Sequence, residues 1–350
     1  MTPQTVGSPR ARAFMQMPYS FIEARLRARR SDFYEGDRLR SLIELRDVQD
    51  LCERIYPNLD IYSHRELEKQ LRQDAVGELS ALLRMLPPTV GGLFHALLRR
   101  FQIDNVAVLL NAWAGEGTLD AAEPYMSELP TSLDLPAEQL MEASDVEAFI
   151  SVLPDRNLQT GMRRAAHIYK DSGRTAFLEM GLHSAFWDGV YESLGELSRS
   201  DRAACRAPVD EELHSVGALC VLRAARTYQM EWDTIASLVP RLGTRDQLGN
   251  LQRLFENPDG QSVLECVPAA WRQGLSADKA TNLCELESAF WAGIARIAHN
   301  LFYSAYVSPA SIVSYYYLRR VELRKLTTVI EMVRQGWDRR DIAERVGLEE

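Results

Sequence analysis

Long apolar runs are missing from this 350-residue chain. No window approaches the roughly 18 consecutive apolar residues that a membrane helix needs, so the chain is not expected to span a bilayer. Paired cysteines are missing too. Cys52, Cys205, Cys220, Cys266 and Cys284 are odd in number, widely spaced and without a CxxC separation. With no signal peptide, they read as free thiols of a reducing, cytoplasmic protein. A basic excess is lacking: the net charge is −9, which argues against nucleic-acid binding. Lysine is confined to Lys69, Lys170, Lys279 and Lys325, a bias that reflects base composition and carries no functional content.

Catalytic signatures are equally scarce. There is no GxxxxGK[ST] phosphate cradle, no GxGxxG, no GxSxG elbow and no HExxH. His64, His95, His167, His183, His214 and His299 never fall at i, i+4, and none shows metal-ligand spacing. Gly91-Gly92 follows prolines and reads as a turn, with a weak claim to an anion. No catalytic, cofactor-binding or metal-binding residue is therefore assigned, and interface residues stay undefined.

What is present is helical period. Apolar residues recur near every 3.6 positions and period-two alternation is rare, so the fold class is all-α. A helix is expected from near Pro18, after a loose tail over residues 1–15 with Arg10 and Arg12. Another is expected over Leu67–Leu86, stopped by Pro87-Pro88. Ser308-Pro309 reads as an N-cap with proline at the first helical position, opening a long helix that ends at Gly336. Gly115–Pro136 reads as a linker, Ser198–Pro208 as a second loop and Asn257–Gly260 as a tight turn.

The chain also repeats itself. Leu182-His183-Ser184-Ala185-Phe186-Trp187-Asp188-Gly189-Val190 returns 104 residues later as Leu286-Glu287-Ser288-Ala289-Phe290-Trp291-Ala292-Gly293-Ile294. An acidic or amide residue, an apolar face and a glycine then recur at Asp104-Asn105 to Gly115, Glu231 to Gly243 and Glu322 to Gly336. Three units follow, over residues 1–115, 116–243 and 244–350. Ser-Ala-Phe-Trp reads as core, because large aromatics dominate buried area, with the following glycine letting helices approach.

Three features carry alternatives. Arg25, Arg27, Arg29 and Arg30 form a solvated helix face or a contact for an acidic partner or anionic lipid. Tyr315-Tyr316-Tyr317 wrap around a helix, so one is expected buried and another at an interface. Gly336 to Gly347 looks like half a helix-turn-helix, but only Leu348, Glu349 and Glu350 follow, too few for a recognition helix. A short helix packed on the body is expected instead.

These residues resemble the C subunits of the V/A-type (vacuolar/archaeal-type) rotary ATPases, the family that includes the vacuolar d subunits. Tyr19 and Ala24-Arg25-Leu26-Arg27-Ala28 match the family's opening, and Asn105-Val106-Ala107-Val108-Leu109-Leu110 match its Asn-Leu-x-x-Leu-Leu helix. Tyr316, Arg319, Glu322-Leu323-Arg324-Lys325-Leu326 and Gly336 match its last helix. Departures are Lys325 for asparagine, Thr327 for arginine and Met332-Val333 for Gly-Lys. The middle unit matches poorly, with Trp232-Asp233 near the expected asparagine and Pro240 breaking the helix. The resemblance implies a funnel of three helical units around a pseudo-threefold axis. It implies a non-catalytic, cofactor-free component of the central stalk, cytoplasmic and peripheral on the membrane. Such a component couples the rotor shaft to the membrane ring for proton or sodium transport. Its partners would be the central-shaft subunits and the rotor ring. A soluble helical-repeat adaptor for other proteins explains composition and repeats equally well. A metal-carboxylate bundle enzyme would need a pair of Glu-x-x-His motifs, which is not found.

Overall fold

The structure is a computed structural model that describes residues 9–228, 230–240, 245–304 and 308–348, with backbone only at 9–19 and 245–247. Among the described residues every regular element is helical. Eight long helices carry the architecture: α1 (Pro9–Arg30), α2 (His64–Leu83), α3 (Pro88–Ala114), α4 (Arg156–Ser172), α5 (Thr175–Glu196), α6 (Arg199–Arg223), α7 (Leu283–Ser304) and α8 (Pro309–Arg334).

Local sequence explains where they start and stop. Ser63 caps α2 in a capping box with Glu66, satisfying two orphan backbone donors reciprocally. Ser308 accepts from the Ala310 backbone N–H, with Pro309 opening α8. Asp155 caps α4, and Gly173, at φ 68°, ends it in the left-handed conformation that glycine adopts most cheaply.

Six of these helices form three consecutive pairs, α2 with α3, α5 with α6, and α7 with α8, while α4 packs on α5 and α1 on α8. Each pair packs internally, and the second helix of each also packs on the first helix of the next. Thus α3 meets α5, α6 meets α7, and α8 returns to α2, so the series closes on itself. One hydrophobic core threads all three pairs. A second, smaller core lies around Leu326, Val329 and Ile330 of α8, under the short helices Gly36–Ile43, Val48–Ile55 and Arg339–Arg345.

Several sequence expectations change. Ser198–Pro208 is not a loop: Ser198 caps α6 on the Asp201 N–H, and Pro208 lies inside the helix with its ring buried. Its polar composition belongs to a capped first turn, not to irregular chain. Gly91-Gly92 lie within α3, and Asp259 caps the helix Gly260–Cys266. The first helix already begins at Pro9; residues 1–8 and the side chains of Arg10, Arg12 and Tyr19 lie outside the described residues. Gly243, Glu349 and Glu350 also lie outside them. Ile342 and Val346 of the C-terminal segment are buried in the second core, as a packed-back helix requires. Tyr315, Tyr316 and Tyr317 are all fully buried, because α8 is covered by α6, α7, α1 and α2 on successive faces.

The repeated aromatics are core in the second pair and partly so in the third. Phe186, Trp187 and Phe290 are buried and Trp291 is half-buried. The glycine after them does not mediate the close approach in the second pair. Gly189 has open space where a Cβ would stand, whereas Gly161 of α4 and Gly181 of α5 lie backbone to backbone with no room for one.

Candidate functional site

Helix α8 carries an unusual load of buried polar groups. Ser311, Ser314, Arg320 and Glu322 are buried along it, and Glu211, Glu212 and Ser215 are buried on α6. Most buried polar groups are paired, so the partners these groups find define what the site does.

The inner set joins all three helix pairs. Tyr316 donates its hydroxyl to the Leu97 carbonyl of α3 at 2.8 Å. Arg320 donates to Glu212 of α6 at 2.6 Å, and its guanidinium stands 5.2 Å over the Trp291 ring of α7. Arg100 of α3 reaches Nδ1 of His183 on α5 at 3.4 Å. Burial works against the Arg320 charge. The Glu212 carboxylate, then Tyr316 and Tyr317, outweigh it and hold the guanidinium more firmly protonated than usual. His183 is pushed down to about 3 by burial, then by Arg100, Arg320 and Arg223, so it stays neutral and accepts from Arg100.

The outer set ties the N-terminal region to α8. Glu322 accepts from the Tyr34 backbone N–H at 2.7 Å and pairs with Arg319. Arg319 also reaches Glu78 of α2 at 3.3 Å, Arg29 of α1 reaches the same carboxylate at 3.1 Å, and Tyr315 donates to it. Burial raises the Glu322 carboxyl against the opposing pull of Arg319 and the Tyr34 N–H. The basic cluster of α1 is absorbed here and nearby: Arg27 pairs with Glu23, Arg30 with Glu35, and Arg25 donates to the Met85 sulfur.

Tyr316, Arg319 and Glu322, singled out in sequence, thus belong to one polar spine along α8. Asn105 does something different. Its amide donates to the Ser127 carbonyl and accepts from the Ser127 N–H, both at 2.8 Å, pinning the segment after α3 against that helix. Gln102 adds a bond to the Leu133 carbonyl at 2.9 Å. At the departures, Thr327 satisfies its hydroxyl on the Leu323 carbonyl of its own helix. Met332 and Val333 fill the second core. Lys325 is half-buried, its pKa lowered by burial, with Glu35 opposing and Arg30 adding to the shift.

Sequence reading missed Arg320, Glu212 and Glu78, and it misplaced the middle unit. Glu231, Ile235 and Leu238 sit at a short helix, Trp232–Leu238, and not on a long one. Of the two buried acids of α6, Glu212 follows the start of its helix by 13 residues, as Glu322 follows the start of α8. An acid at matched depth in two long helices was the available signal; the loop assigned to Ser198–Pro208 hid it.

Among the described residues no three His, Cys, Asp or Glu side chains converge as metal ligands, and no helix is long and apolar enough to cross a membrane. A cleft of about 120 Å³ lies between α3 and α5, bordered by Gly92, His95, Arg99, Asn157 and Glu192. It is small for a cofactor, and Arg99 is already paired with Asp155. The paired charges of the buried spine lie where the three helix pairs meet, so they oppose relative displacement of those pairs.

A family model described as ATP synthase (C/AC39) subunit matches residues 22–345. The chain is 24% identical over 327 residues to the C subunit of the A-type ATP synthase of Halorubrum lacusprofundi, covering 88% of this chain and 91% of that one. For the protein of the same name from Haloferax volcanii the identity is 23% over 334 residues, with 91% and 94% covered. For that from Pyrococcus abyssi it is 20% over 344 residues, with 94% and 90% covered.

Proposed function

The chain belongs to the ATP synthase (C/AC39) subunit family, and from that premise we propose that it is a non-catalytic central-stalk subunit of a V/A-type rotary ATPase or ATP synthase. In this reading it couples the rotor shaft to the membrane ring during ATP-linked proton or sodium transport. It binds the central-shaft subunits on one side and the ring on the other, and it sits on the cytoplasmic face of the membrane through that complex. The three helix pairs form three units, over residues 1–115, 116–243 and 244–350, arranged about a pseudo-threefold axis as a funnel.

The observation that carries this reading is the closed cycle of helix pairs, α3 on α5, α6 on α7 and α8 on α2, joined by a buried polar spine. A part that transmits torque must resist shear between its units. A close-packed interior with paired internal charges supplies that resistance. An open solenoid adaptor would contact only successive repeats and would leave its first and last repeats apart, so the return of α8 to α2 speaks against it.

The test is reconstitution. Rotary complexes assembled from native membranes with this protein should hydrolyse ATP and acidify vesicles together. Complexes stripped of it should keep ATPase activity in the soluble head and lose ion pumping, and re-addition should restore it. Recovery of the protein with neither shaft nor ring subunits would refute the proposal.

A further inference from the structure

Charge is distributed very unevenly along the middle of this chain. From Gly115 to Asp155 there are ten acidic residues and no lysine or arginine, more negative charge than the net −9 of the whole protein. The next 19 residues reverse the sign: Arg156 to Arg174 carry five basic residues and a histidine against the single acid Asp171.

Helix α4 sorts that reversed charge onto one face. Leu158, Gly161, Met162, Ala165 and Ala166 are buried, and α4 packs on α5. Arg156, Arg163, His167 and Lys170 are exposed and fall within an arc of about 60° at 100° per residue. They form a straight stripe about 21 Å long at 1.5 Å per residue. Arg164 flanks the stripe. The neighbouring acids neutralise it only weakly, since Arg164 meets Asp188 at 3.6 Å and Lys170 meets Glu147 at 3.2 Å, with all four side chains about half exposed.

We propose that this outer face of α4 is a docking surface for an acidic helical segment of another protein. The surface stands independently of the rotary role. Three observations select that occupant. The stripe is narrow and straight, matching about four turns of helix, and it is cationic in an otherwise anionic molecule. The exposed residues of α4 are all polar, so nothing on it would insert between lipid chains as an interfacial membrane helix does. Glu147 and Asp188 lie in ion-pair contact with this face, and a flat anionic bilayer or a nucleic-acid backbone would have to approach them as well.

The experiment uses the full chain and a fluorescein-labelled, alanine-rich helical peptide of about 20 residues that carries glutamates along one face, read by fluorescence anisotropy. Wild type should bind it, and affinity should fall as salt shortens the screening length. The variant Arg156→Glu, Arg163→Glu, Lys170→Glu should bind about tenfold or more weakly. Arg40→Glu, Arg199→Glu, Arg340→Glu, equal in net charge change and exposed elsewhere, should retain most of the affinity. The neutral set Arg156→Gln, Arg163→Gln, Lys170→Gln should fall between them, and melting temperatures close to wild type should accompany all three. The proposal is overturned if wild type ignores the peptide or if both charge-reversal sets weaken it equally. It is also overturned if vesicles of phosphatidylserine and phosphatidylcholine, or a DNA duplex, compete for the stripe better than the peptide.

Discussion

Removing the Glu212 carboxylate should damage this protein more than any exposed ion pair could. Arg320 lies 2.6 Å from Glu212, and both side chains are buried. A guanidinium does not deprotonate under accessible conditions, so it cannot escape the loss by becoming neutral as a lysine might. In Glu212→Leu the positive charge stays in the interior facing apolar surface, with the rings of Trp291 and Tyr316 beside it. Breaking a buried pair in this way costs about 3–5 kcal/mol. Unfolding entropy scales with length, to about 0.7 kcal/mol per kelvin for a chain of this size, so the melting temperature should fall by about 4–7 °C. Arg320→Met alone should also destabilise. The double variant Glu212→Leu, Arg320→Met should recover most of the loss, because it removes both desolvated charges and keeps the volume. The exposed pair Arg339–Glu44, at 2.7 Å, provides the contrast: Glu44→Ala should shift melting by about 1 °C or less. Differential scanning calorimetry reads the four variants beside wild type. If Glu212→Leu melts with wild type, or if the double variant is no better than the worse single one, the account of α8 as pinned by paired buried charge is wrong.

Gly181→Ala should cost about 1–3 kcal/mol, because the new methyl group collides with the Gly161 backbone and must separate α4 from α5. Gly189→Ala, on the same helix with open space around it, should instead be neutral or stabilise by up to about 1 kcal/mol in the same melts. Asn105→Ala strips partners from both backbone groups of buried Ser127 and should cost about 2–3 kcal/mol, with faster amide exchange after α3 measured by mass spectrometry. His183 supplies a pH test. Its pKa lies near 3 in the folded protein and near 6.5 unfolded, so between these values the unfolded chain binds the extra proton. Its stabilising contribution is complete above about pH 6.5 and declines as the solution becomes more acid. From pH 7 to pH 5 the loss amounts to at most about 2 kcal/mol, and wild type should lose up to about 3 °C more melting temperature than His183→Gln over that range. Buried carboxyls such as Glu322, whose pKa is raised, act in the opposite direction but are common to both proteins and cancel in the comparison.

Much of the helical frame was legible because it depends on near neighbours. Ser308-Pro309 announced the start of α8, and the stop at Pro87-Pro88 separated α2 from α3, since capping and proline sterics act within one turn. The duplicated Ser-Ala-Phe-Trp marked the first helices of two pairs because equivalent packing sites select equivalent side chains. Where local composition and tertiary burial disagreed, composition misled. Ser198–Pro208 looks like a loop by its residues, yet it is the opening of α6, because burial of Cys205, Pro208 and Val209 outweighs the helix-breaking tendency of one proline. Gly189 and Gly181 are indistinguishable in a sequence; only the crossing of α4 and α5 decides which of them lies against another backbone.

The sequence alone determined that this protein would be helical, where most of its long helices begin, and which family it belongs to. Period and capping are properties of a few adjacent residues. The tertiary structure decided which charges meet. Arg320 finds Glu212 across 108 positions, and Tyr315 finds Glu78 across 237. No local rule reaches that far: such pairs come into contact only after three helix pairs have closed on one another and excluded the water that would otherwise solvate each charge separately.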